Sequence, residues 1–167
     1  MSGSHIPQAD SLQKLRDLVR YVAGRGVAST IEAGKAVGLS PRHASYYRDA
    51  GECLGLLQGA GDKGDSVEVT EAASRLLGTA PGTAAEARAL RRLVNGSAAV
   101  SRVAPGLLGE APPSREEIAA AIEREAGLSA SVAERRAACL WRWRQQVLDR
   151  EHPQLWLPFL DPAGAKA

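Results

Sequence analysis

The chain has 167 residues, 44% of them hydrophobic and 24% charged, with a formal net charge of +2. That is the composition of a globular protein, with room for one domain or for two small ones sharing a core. It excludes a strongly basic protein, so any affinity for nucleic acid must come from local clusters of charge.

The opening MSGSHIPQAD lacks the charged-then-apolar order of a secretory signal, and residues 1–9 read as a disordered lead-in. DSLQKLRDLVRYVA then sets Leu12, Leu15, Leu18, Val19 and Val22 at helical spacing, with Asp10 or Ser11 as cap and Gly24 and Gly26 as the stop. Val27-Ala28-Ser29 fits a short strand. Thr30 opens a helix over 31–37 that stops at Gly38. Ser40 can cap the next helix through its side-chain oxygen, and Pro41 suits its first position, where no backbone N–H is needed. This helix is predicted from Pro41 to about Leu54. After Gly55, Leu56-Leu57 begins a strand, GAGDKGDS makes a glycine-rich tip and Val67-Glu68-Val69 returns, which is a β-hairpin. Thr70 caps a helix ending at Gly78. Ala80-Pro81-Gly82 is a break, so a unit over 10–79 is expected, followed by a helical region over 83–160. That region holds helices at 83–94, 97–104 and 115–125, the last with Glu117 at the capping-box position behind Ser114. DPAGAKA, at 161–167, reads as a tail or the start of a linker, with a catalytic domain beyond it. The apolar Trp156, Leu157, Phe159 and Leu160 are expected to fold back on the helices.

The segment 114–148 echoes the segment from Thr30. Gly38-Leu39-Ser40 is matched by Gly127-Leu128-Ser129, and Ala44 by Ala133. A glycine stop, a capping serine and an inward alanine agree at both places, which predicts a second helix-turn-helix without a wing. The positive charge gathers at these same places. Residues 10–50 carry seven cations against four anions, and residues 131–150 carry five against two.

On the helix from Pro41, Arg42, His43, Ser45, Tyr46 and Asp49 share one side, and Ala44, Tyr47, Gly51 and Leu54 the other. A short helix with small, polar and basic residues at its amino-terminal end is what a DNA major groove accepts. Arg42 would hydrogen-bond guanine or grip a phosphate; the alternative is a solvated arginine at a helix start, where the macrodipole disfavours a cation. His43 and Ser45 are candidates for base or phosphate contact, Tyr46 for sugar or phosphate, and Lys63 at the hairpin tip for the backbone. Arg48 either reaches phosphate or pairs with Asp49 or Glu52. In the second motif the candidates are Ser129, Ser131, Arg135 and Arg136.

Trp141 and Trp143 lie two apart and cannot share a helix face, so one at most enters the core. Cys53 and Cys139 read as reduced thiols in a cytoplasmic protein. No apolar run is long enough to cross a membrane. Histidines 5, 43 and 152 have no metal spacing, and no cofactor is expected. GAGDKGDS lies at a hairpin tip rather than between strand and helix, which argues against a phosphate loop. Catalysis within the chain is therefore not expected.

GLSPRHASYYRDAGECLGLL, followed by Val67-Glu68-Val69-Thr70-Glu71 and a closing helix, resembles the winged helix-turn-helix DNA-binding domain over about Asp10 to Gly78. The paired tyrosines and the later GLSASVAERRAACLWRW make it more similar to the winged modules attached to bacterial restriction and defence proteins than to small repressors. The resemblance implies a mainly α fold with one β-hairpin wing and a partner that is double-stranded DNA. It also implies a sequence- or modification-dependent recognition role beside a nuclease domain. Two alternatives stand beside it: a free-standing dimeric transcription regulator reading a palindrome, and a winged domain used for protein contact.

Overall fold

A computed structural model describes residues 6–62 and 64–152 of the chain. The expectations for Lys63, for the apolar tail with Trp156, Leu157, Phe159 and Leu160, and for residues 1–5 and 161–167 lie outside the described residues. Among the described residues there are eight helices and three strands, in the order α1 (Leu12–Arg25), β1 (Val27–Ser29), α2 (Thr30–Ala36), α3 (Pro41–Cys53), β2 (Leu57–Gly59), β3 (Ser66–Val69), α4 (Glu71–Leu77), α5 (Ala84–Gly96), α6 (Ala98–Val103), α7 (Arg115–Ala126) and α8 (Ala130–Glu151). None of these helices is long and apolar enough to cross a membrane.

Local chemistry sets most of the boundaries. Ser11, Ser29, Ser40, Thr70, Thr83, Ser97 and Ser114 each accept a backbone N–H from the first turn of the helix they open. Ser114 and Glu117 complete the predicted capping box. Gly24 does not stop α1; the helix runs on to Gly26, whose φ of 79° only glycine adopts freely.

The three short strands form one antiparallel sheet in the order β1-β3-β2. Ala28 faces Val67 across one ladder, and Leu57 faces Val69 across the other. β1 thus joins the hairpin in a sheet, a pairing that strand signals alone did not specify.

The core is one contiguous cluster. Leu15, Leu18 and Val22 of α1 meet Tyr47 and Leu54 around the sheet, and the same cluster continues through Leu90 and Val100 to Ile118, Leu140 and Trp143. The units expected over 10–79 and 83–160 therefore share a core.

The disordered lead-in needs correction at residues 6–9. Ile6 and Ala9 are buried. Ala9 O accepts from Trp143 Nε1 at 2.8 Å and from Cys139 Sγ at 3.2 Å. Gln146 closes the clamp, donating to Asp10 O at 2.6 Å and accepting from Leu12 N at 2.8 Å. Buried carbonyls need donors, and α8 supplies them.

Candidate nucleic-acid interface

The turn between α2 and α3 is built from glycine and one close contact. Gly38, at φ 77°, sits just past α2. Leu39 N reaches back to Gly34 O at 2.8 Å and Gly38 N to Lys35 O at 3.2 Å, the paired bonds of a Schellman stop. The next helix crosses so tightly that a Cβ on Gly34 would lie 2.3 Å from Ala44 Cβ. Ala44, Tyr47, Gly51 and Leu54 are buried, as their spacing predicts. Tyr47 also anchors α1, since its hydroxyl accepts Ser11 N at 3.1 Å.

The opposite side of α3 is open at its amino-terminal end. Ser40, Arg42, His43 and Ser45 are exposed, and Tyr46 is half-buried. These side chains hold one another. Ser40 Oγ accepts His43 N at 3.3 Å and lies 2.8 Å from His43 Nδ1. Arg42 Nε donates to Tyr46 Oη at 2.7 Å, with the guanidinium carbon 5.7 Å from the centre of the tyrosine ring. His43 meets the same ring edge-on, with centroids 6.0 Å apart. Arg42 makes no ion pair among the described residues.

Arg48 belongs to a different group. Its Nε pairs with Glu52 at 3.0 Å, and its Nη1 donates to Gly64 O at 2.7 Å and to Thr30 Oγ1 at 3.3 Å. Thr30 N and Oγ1 both donate to Asp65 O. Arg48 and Thr30 therefore tie the base of the hairpin loop to α2 and α3. Of the two fates weighed for Arg48, pairing with Glu52 is the one observed, and the loop contact was not foreseen.

The second motif echoes the first only in part. Gly127 is left-handed and stops α7, and Ala133 is buried. The expected cap is absent, however. Ser129 makes no side-chain bond to the helix start and instead lies 3.4 Å from Ser131 Oγ. α7 also closes on a single bond, Gly127 N to Glu123 O, rather than the pair seen after α2. Ser129, Ser131 and Arg135 are exposed, whereas Arg136 is half-buried. It lines a cavity with Ile6, Ala99, Val103 and Ile122, and its Nε has no hydrogen-bond partner among the described residues.

The positive charge expected over 131–150 is largely consumed inside the molecule. Arg142 pairs with Asp10. Arg144 donates to Leu107 O and Gly109 O, and Arg150 pairs with Glu86 at 2.6 Å. Only Arg135 among these five arginines is both exposed and without an ion pair to a described residue. Trp143 is fully buried, and Trp141 is half-buried with the Arg144 guanidinium 5.6 Å from its ring.

The start of α2 turns a polar side chain inward and an apolar one outward. Ile31 is 54% exposed, while Thr30 is buried. The Thr30 hydroxyl earns its inward position through Asp65 O, a partner 35 residues away that helical spacing does not reveal.

Comparison with protein-family models, with curated proteins and with solved structures finds no match.

Proposed function

We propose that the chain is a winged helix-turn-helix module for double-stranded DNA, with the amino-terminal end of α3 in the major groove and the β2–β3 hairpin as the wing. One observation carries this reading. α3 buries its Ala44-Tyr47-Gly51 side and leaves Ser40, Arg42, His43 and Ser45 exposed at one end. The element order supports it, because Arg48 holds the hairpin loop against the same helix. The second helix pair, lacking its cap and most of its free charge, is secondary in this reading. Ser129, Ser131 and Arg135 remain as backbone contacts on a longer duplex. The sequence likeness to restriction and defence modules supports a recognition role in such a system, with cleavage carried out by a separate nuclease domain.

The test is capture of a pooled duplex library, with and without modified bases, at two salt concentrations. Each phosphate contact contributes about 0.9 to the fall of log affinity against log salt. Arg42→Glu should cut capture at least about tenfold, because it removes a contact worth about 1–3 kcal/mol and adds repulsion. Its folding stability should stay within about 0.5 kcal/mol of the parent, as for an exposed position. Unchanged capture by this variant, or no capture of any duplex at either salt, would overturn the proposal.

A further inference from the structure

We infer that the amino-terminal end of α3 reads guanine, through Arg42 and His43 held in donor orientation by Tyr46 and Ser40. This rests on the DNA-binding reading above.

The first argument is chemical inventory. Residues 41–48, PRHASYYR, contain no carboxylate and no carboxamide. Adenine and cytosine each present an amino group in the major groove, best met by Asn or Gln and by Asp or Glu respectively. Guanine presents two acceptors, O6 and N7, which suit donors alone. The next carboxylate, Asp49, is half-buried and already engaged within the protein.

The second argument is orientation. Arg42 spends its Nε on Tyr46 Oη and lies over the tyrosine ring. Both terminal nitrogens are left to form the fork that matches guanine O6 and N7. Tyr46 is thus a positioning residue.

The third argument concerns the histidine tautomer. The Ser40 hydroxyl oxygen accepts a backbone N–H and sits 2.8 Å from His43 Nδ1. A hydroxyl that accepts is a stronger donor, so the chain of bonds runs from His43 N–H to Ser40 and on to Nδ1. Nδ1 is therefore the acceptor, and Nε2 carries the hydrogen that faces outward. Two side chains on one helical turn then offer donors only.

The experiment selects duplexes from a random pool with the full chain. The best duplex is then remade with 7-deazaguanine or 7-deazaadenine, each lacking the N7 acceptor. The expected result is guanine at fixed positions, a loss of about tenfold or more on 7-deazaguanine, and no loss on 7-deazaadenine. Tyr46→Phe keeps the ring but removes the Arg42 acceptor. It should narrow the gap between the guanine and 7-deazaguanine duplexes while capture at low salt persists. Nitrogen NMR of the free protein should show His43 protonated on Nε2. Salt-dependent capture with equal affinity for the two guanine forms would overturn the guanine reading and leave DNA binding standing. Absence of duplex capture would overturn both.

Discussion

A single carbon at Gly34 decides how closely the two helices of the candidate interface can cross. Its Cβ would meet Ala44 Cβ at 2.3 Å and Ala44 Cα at 3.3 Å, and neither atom can swing aside. Gly34→Ala should cost about 1–3 kcal/mol through overpacking, more than offsetting the gain of up to about 1 kcal/mol from helix propensity. Gly24 supplies the control. It lies within α1, and a Cβ there would meet nothing within 4 Å. Gly24→Ala should stabilise by about 0.5–1 kcal/mol. Urea midpoints separate the two, and equal shifts would show that α2 and α3 do not cross this tightly. Sequence patterning cannot distinguish these glycines, since both sit inside helices and only the crossing partner differs.

The two tryptophans of α8 show what an element's periodicity can and cannot reveal. Their spacing predicts that one enters the core, and Trp143 is that one. What it cannot show is the destination of each indole N–H. Trp143 Nε1 donates to Ala9 O, 134 residues away, and so fastens the segment ahead of α1 onto α8. Trp141 Nε1 is buried with no partner among the described residues. Trp143→Phe should therefore cost about 1–3 kcal/mol, because a buried carbonyl loses its better donor. Trp141→Phe should be neutral or stabilising, because it removes a polar atom that burial already penalises. Denaturant midpoints check both, and a larger loss at Trp141 would contradict the assignment. The same limit explains what was legible elsewhere. Caps and glycine stops act within five residues, so Ser11, Ser40, Thr70 and the Ser114–Glu117 box could be read directly. Arg142, Arg144 and Arg150 looked like a free basic face because Asp10, the Leu107 carbonyl and Glu86 lie far away in sequence. Arg42, by contrast, is exposed as read, because its contacts lie within one turn.

Across the whole molecule, α1, α5 and α8 are joined by one buried carboxylate. Glu86 accepts from Arg16 at 2.5 Å, from Arg150 at 2.6 Å and from Gly82 N at 3.1 Å. Arg16 is also held by Thr79, through its carbonyl at 2.5 Å and its hydroxyl at 3.3 Å. Burial alone would raise the Glu86 pKa, but the Gly82 N–H and the two guanidinium groups outweigh it and hold the carboxyl below its ordinary value of 4.5. A depressed carboxyl pKa contributes stability that is present above the unfolded value and lost as pH falls through the folded one. Stability should therefore be steady near neutrality and fall below about pH 4.5. Glu151, lowered by its hydrogen bonds to Arg91, acts in the same direction. Glu86→Gln removes the shared anion and leaves two cations facing each other. It should cost about 3–5 kcal/mol at pH 7. As pH falls through its lowered value the folded parent protonates the same group, so the gap between the two proteins should narrow as acid is added. Urea midpoints of both proteins from pH 7 to pH 3 give the comparison. If the curves stay parallel throughout, Glu86 is not the group that couples α1, α5 and α8 to pH.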